Sequence, residues 1–234
     1  MFTGCPPEMI DFFLALRFNN NAAHFEANRA LYQRVVQAPL RALADAMAQT
    51  LAEIDPQFDT RPVKVVSRIR RDTRFSHNKD PYRDYMWLSW RYTGETLEAG
   101  LCFYWDVSPD ATHWGMGIFG DHKPTMDVIR RRILAAPNEV AQVLAASGVP
   151  ERFTLEGNAY KRLVVPDEVP EALRALYIKK GYYFQNNARA DDFDALFSGD
   201  IAARMRADFL LLAPLYRWLR GRQLELADAQ TGRE

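Results

Sequence analysis

The hydrophobic period of this chain changes near residue 60 and changes back near residue 120, and that pattern limits the folds open to it. Phe25, Leu31, Tyr32, Val35, Val36, Leu40, Leu43, Met47 and Leu51 recur at helical spacing and predict a buried stripe, bent at Pro39 where a helix interior loses a donor. Between Lys64 and Phe119 the apolar residues alternate instead. Lys64–Arg71, Tyr85–Tyr92, Thr96–Val107 and His113–Phe119 are rich in β-branched and aromatic residues and read as strands. Tyr92-Thr93-Gly94-Glu95 and Ser108-Pro109-Asp110 are turn sequences, so an antiparallel meander is expected. A short helix from Pro6 to Phe18 and an N-cap among Asn19–Asn21 precede the stripe. Helical patterns return at Pro124–Ala135, Pro137–Ala146, Pro170–Lys180 and Asp200–Arg220, with Gly181–Asn186 as a further strand. Helices at both chain ends around an antiparallel block predict an α+β fold, a curved antiparallel sheet packed against helices, and not alternating βαβ units.

A chain of 234 residues with 48% hydrophobic and 12% aromatic content can bury a large core. No repeat, low-complexity segment or linker interrupts it, so one domain over residues 1–221 is expected, followed by a polar tail at 222–234. Thirty basic residues balance thirty acidic ones, which removes the long-range field of a non-specific nucleic-acid binder. Any anion site must therefore be local. Cys5 and Cys102 form no CxxC pair and no disulfide framework. The first apolar stretch is interrupted by Asp11 and Arg17, unlike a signal-peptide core. Phe209–Leu219 contains Pro214 and Arg217 and is shorter than the roughly 20 residues of a bilayer span. These features predict a soluble, cytoplasmic protein with reduced thiols and no membrane partner.

The densest charge lies in Val65–Arg83, VVSRIRRDTRFSHNKDPYR. From Lys64 to Asp84 there are seven Lys or Arg against Asp72, Asp80 and Asp84. Guanidinium forks match phosphate and carboxylate oxygens with paired hydrogen bonds. On a strand, a period of two sets Lys64, Val66, Arg68 and Arg70 on one face and Val65, Ser67, Ile69 and Arg71 on the other. Two readings stay open. Arg68, Arg71, Arg74, Ser76 and Lys79 could form an anion site, with Asp72 orienting the arginines or acting as a base and Tyr82 in its wall. Alternatively, Arg71, Asp72 and Arg74 form an internal ion-pair brace and Lys79 and Arg83 stay solvated.

The run Ser67–Arg83 resembles the signature F-R-I-Y-R-D-T-R-F-S-K-D-K-x-P-Y-K of a bacterial family of uncharacterised proteins, domain-of-unknown-function family 2461. The opening MFTGCPPEMIDFFLALRFNNNAAHFEANRALY is similar to that family's start, with its Asn-Asn pair at Asn19–Asn20 and its Phe-Glu-Ala-Asn motif at Phe25–Asn28. LYIKKGYYF and LLAPLYRWL also look similar, so the resemblance covers nearly the whole chain. It carries over Arg68, Arg71, Asp72, Thr73, Arg74, Phe75, Ser76, Lys79, Pro81 and Tyr82 position by position. Arg70 stands where the pattern has Tyr, Ser67 where it has Phe, and His77-Asn78 replace Lys-Asp. Ala22, Ala23 and His24 occupy positions where the pattern has Arg, Glu and Trp. The resemblance implies no reaction, because the family's activity is unassigned.

Other motifs carry less. Gly115-Met116-Gly117-Ile118-Phe119-Gly120 spells GxGxxG, but Trp114, Met116 and Ile118 alternate as in a strand and the next helix begins only near Pro124. Close packing or strand curvature explains these glycines, and no cofactor is expected. Ser76–Lys79 fits SxxK but lies in a loop without partner motifs. His24, His77, His113, His122, Asp106 and Asp121 have no metal-ligand spacing, so no metal is expected. Arg130-Arg131-Arg132 reads as a solvated helix face. The functional expectation is a binder or enzyme for a small phosphate- or carboxylate-bearing ligand held by the local Arg/Lys cluster. The alternative is a non-catalytic structural or interaction domain, and a nucleic-acid partner is least favoured.

Overall fold

In the computed structural model of the chain, residues 2–74, 77–93, 95 and 100–231 are described, the backbone alone beyond 222. Helix α1 (Glu8–Phe18) follows Pro6-Pro7 and buries Met9, Phe12, Phe13 and Leu16 along one face. Asn21 accepts from the His24 N–H and so starts α2 (Ala22–Ala27), which α3 (Arg29–Tyr32) follows. The bend expected at Pro39 takes the form of a π-helical turn at Gln33–Gln37, just before α4 (Ala38–Ile54). Pro39 thereby falls in the first turn of α4, directly after the π-helical turn.

The strand expected over Lys64–Arg71 does not form. Pro62 opens a helical turn instead, α5 (Pro62–Val65), and the chain beyond it pairs only at isolated bridges, Val66 with Leu88 and Arg70 with Tyr82. Ser67 explains the interruption. Its N–H donates to the Trp87 carbonyl at 2.9 Å, but the Trp87 N–H donates to the Ser67 hydroxyl, also at 2.9 Å, so a side chain takes the place of a ladder acceptor.

The expected meander is present as β1 (Met86–Trp90), β2 (Cys102–Val107) and β3 (Thr112–Gly117). Residues 96–99 of the expected second strand, and Gly94 of its turn, lie outside the described residues. The chain continues through α6 (Lys123–Ala135), α7 (Pro137–Ala146), β4 (Phe153–Glu156), α8 (Glu171–Tyr177), β5 (Tyr183–Asn186), α9 (Asp192–Ser198) and α10 (Ile201–Thr231). Strand β4 and helix α9 have no counterpart in the sequence pattern. Helix α10 runs past Arg220, where a stop was expected, to Thr231. The strands order β1-β2-β3-β5-β4 in one antiparallel sheet, so the fold is α+β.

The chain divides into two interleaved compact units, Met1–Trp90 with Tyr104–Trp114 and Ala188–Ala207, and Arg91–Phe103 with Gly115–Asn187 and Asp208–Glu234. The first buries Phe13, Leu16, Val36, Leu40, Leu43, Leu51, Leu88 and Trp105. The second buries Phe103, Met116, Ile129, Phe153 and Phe184, and the Phe103 ring lies 4.8 Å from Phe209 and 5.5 Å from Tyr216. No helix among the described residues is long and apolar enough to cross a membrane.

The glycines of the GxGxxG pattern lie in and just beyond β3, and their role is steric. A Cβ on Gly115 would sit 1.8 Å from the Phe184 carbonyl oxygen, and one on Gly117 2.3 Å from that of Tyr182. The two strands approach more closely than any side chain permits. Gly115→Ala is expected to destabilise the protein by at least about 1–3 kcal/mol. Gly221→Ala, in α10 with nothing within 4 Å of its new Cβ, should instead add about 0.5–1 kcal/mol. Urea unfolding of the two variants measures both.

Candidate functional site

Two sequence segments far apart in the chain meet at Tyr82. The Asn20 carboxamide donates to the Tyr82 carbonyl at 2.9 Å and accepts from the Tyr82 N–H at 3.0 Å. Arg71 N–H donates to the Pro81 carbonyl and Arg83 N–H to the Ile69 carbonyl, each at 2.8 Å, which closes the bridge between Arg70 and Tyr82. The Tyr82 backbone is thus held from both sides, and the residue is only 6% exposed. Its ring stacks on Phe25 with centroids 4.2 Å apart and planes 15° from parallel. Asn28 fixes the helix beneath Phe25 by donating to the His24 carbonyl at 2.9 Å. The Asn19–Asn20 and Phe25–Asn28 motifs and the arginine loop are therefore parts of one structure.

A cavity of about 530 Å³ opens against this assembly, within the first unit. Its polar lining includes Arg29, Arg41, Arg68 and Arg70 against a single carboxylate, Glu26. Phe25, Val63, Val66, Ile69 and Tyr82 supply apolar wall. Arg29 is taken by Glu26, with bonds of 2.8 and 2.5 Å, and lies 5.5 Å from the centre of the Phe25 ring. That pairing holds the Glu26 carboxyl below its ordinary range. Arg41, Arg68 and Arg70 have no carboxylate partner among the described residues.

Of the residues expected to form an anion site, Arg68 lines the cavity and Tyr82 forms part of its wall. Arg71, Arg74 and Lys79 do not line it, so the expected convergence of three of these four cations does not occur there. Arg74 pairs with Asp72 at 2.7 Å, and this hydrogen bond, with a second from the Arg74 N–H, holds the Asp72 carboxyl down at about 2. Lys79 donates to the Thr73 carbonyl at 3.0 Å. Arg71 is half-buried, and its Nε has no hydrogen-bond partner among the described residues. Ser76, and with it the SxxK motif's nucleophile, lies outside the described residues. Arg83, solvated on the alternative brace reading, instead donates to the carbonyls of Arg68 at 2.6 Å and Arg70 at 2.7 Å, and lies 4.9 Å from the centre of the Trp87 ring.

Arg70 is a cavity residue whose signal lay in the period of two that pairs it with Arg68. Arg29, four residues after Phe25, was missed by the sequence reading, although its place just beyond the Phe-Glu-Ala-Asn motif could have marked it. Arg41, on α4, had no sequence signal. Elsewhere, the Arg130–Arg132 run is not simply a solvated face. Arg130 donates to the carbonyls of Tyr177 at 2.8 Å and Lys179 at 2.5 Å, and Arg132 pairs with Glu139. Among the described residues no group of three or more His, Cys, Asp or Glu is arranged to hold a metal. His122 caps α6 by accepting from the Thr125 N–H, and His113 bonds Asp106 at 3.1 Å.

The Asp106 hydrogen bond raises the His113 pKa above its ordinary value of 6.5. Its stabilising effect is therefore full below the unfolded value and fades as pH rises through the folded one. The melting-temperature deficit of His113→Asn relative to the wild type is expected to be larger near about pH 5.5 than near about pH 9. Arg83→Ala removes two charge-assisted bonds to carbonyls and should cost about 1.5–3 kcal/mol. Arg74→Ala, which breaks an exposed and solvent-screened pair, should leave the melting temperature little changed. Thermal melts of the variants check each value.

No curated protein matches the chain. The family described as conserved hypothetical protein (DUF2461) matches residues 8–218, a span that takes in the Asn19–Asn20 pair, every residue of the cavity lining and the whole arginine loop, and the chain belongs to that family.

Proposed function

We propose that the cavity beside Tyr82 binds a small anion-bearing molecule, with Arg68 and Arg70 as its principal donors and Arg41 adding to the field. One observation carries this reading: among the described residues, four arginines and one carboxylate line a cavity of about 530 Å³ in a chain of zero net charge. Like charges gathered around one concavity repel, and an anion between them converts that repulsion into attraction. The cavity volume falls within the range of small-molecule sites. The lining favours binding over a chemical step. Glu26 is ionised and committed to Arg29, and the Ser67 hydroxyl is occupied by the Trp87 N–H, so neither is poised as a general base or nucleophile.

The brace reading applies to the rest of the loop. Arg74, Lys79 and Arg83 are bonded to groups of the loop itself, and they hold its shape while Arg68 and Arg70 face the cavity. A cytoplasmic location suits the thiols, since burial pushes both Cys5 and Cys102 up to about 12 and leaves them protonated.

Calorimetric titration with phosphate, sulfate and acetate tests the proposal. Phosphate and sulfate should bind the wild type and raise its melting temperature. Arg68→Ala and Arg70→Ala should each weaken binding about 10- to 100-fold, the equivalent of about 1.5–3 kcal/mol, with the ligand-free melting temperature little changed. Lys79→Ala, which removes one loop bond and no cavity residue, should weaken binding far less than either arginine variant. A wild type that binds none of the three anions would overturn the proposal.

A further inference from the structure

Resting on that reading, we infer that the ligand is a small phosphomonoester with an apolar body, not a free inorganic anion or a simple carboxylate. Charge is the first argument. Arg29 is neutralised by Glu26, which leaves Arg41, Arg68 and Arg70 as three guanidinium groups without a carboxylate partner among the described residues. A monocarboxylate would offset one of the three. A phosphomonoester carries about −1.5 to −2 charges at neutral pH, and its three terminal oxygens can accept from more than one guanidinium fork.

Size and polarity give the second argument. A phosphate group fills the space of only a few waters, at roughly 30 Å³ each, and the cavity holds about 530 Å³. The remainder is bounded in part by Val63 and Val66, while Ile69, Phe25 and Tyr82 are themselves buried, so the apolar contact open to an added group comes chiefly from the two valines. Val63 is the telling residue. It is 75% exposed on the short helix α5, an apolar side chain facing water although it borders a cavity rich in arginine. Covering it is favourable only for a ligand with an apolar part.

Isothermal titration of the full chain with inorganic phosphate, phenyl phosphate and benzoate separates the terms. Phenyl phosphate is expected to bind at least about 10-fold tighter than either phosphate or benzoate. Val63→Ser should reduce that advantage over phosphate while leaving phosphate affinity within about two-fold. Arg68→Ala should weaken both phosphate-bearing probes. If phosphate binds and phenyl phosphate binds no tighter, the apolar body is refuted and the anion site stands. If benzoate equals phenyl phosphate, the argument from charge is refuted. If none of the probes binds, the anion site itself is refuted and this inference with it.

Discussion

The Asn20 carboxamide does for Tyr82 what a neighbouring strand would do, offering one donor and one acceptor to the N–H and carbonyl of a single residue. A half-buried peptide group at this point would otherwise lose water from both polar atoms without replacement, at about 1–3 kcal/mol for each. The rest of the site depends on this clamp. It fixes the Tyr82 ring against Phe25, and through the bridge to Arg70 it fixes the path of the residues that line the cavity. The clamp also explains why an Asn-rich turn near the N-terminus and a loop some sixty residues later occur together in one chain.

The cations of the loop sort by what satisfies them. Arg83 rests on two carbonyl oxygens, Lys79 on one, and Arg74 on the Asp72 carboxylate. Arg68 and Arg70, whose carbonyls receive the Arg83 guanidinium, are among the residues that line the cavity. On the proposed reading, bracing and binding are divided between neighbouring residues, and the brace holds the backbone that carries Arg68 and Arg70. Arg130 in the second unit combines both kinds of partner, two backbone carbonyls and the Asp127 carboxylate, with Tyr160 and Tyr177 beside its guanidinium. Carbonyl acceptors satisfy a cation's hydrogen bonds without neutralising its charge, so a braced arginine still contributes to the local field.

Strand pairing is set by close approach. Gly115 and Gly117 let β3 lie against β5 at distances that exclude a Cβ, and the register Gly115 with Gln185, Met116 with Phe184 and Gly117 with Tyr183 follows. The alternation of Trp114, Met116 and Ile118 is enough to mark this stretch as a strand. The same kind of alternation misleads at Lys64–Arg71, because the Ser67 hydroxyl replaces a ladder acceptor and Pro62 favours a helical turn just upstream.

By itself the sequence determined the α+β class, the helical stripe from Phe25 to Leu51, the β3 reading of the glycine-rich stretch, and the membership implied by its motifs. Each is a local matter of period, capping or pattern, written in residues near one another in the chain. It also marked Arg68 and Tyr82, because both lie in the one dense basic segment. Only the tertiary structure decided which cations share a cavity. Arg29 and Arg41 come from helices earlier in the chain, and Arg71, Arg74 and Lys79 are absent from the lining although they stand within a few residues of Arg70. For Arg74 and Lys79 the reason is physical: each found a carboxylate or carbonyl close at hand. Where a backbone carbonyl will lie is fixed by the path of the folded chain, and every residue carries one, so no residue type in the sequence announces it.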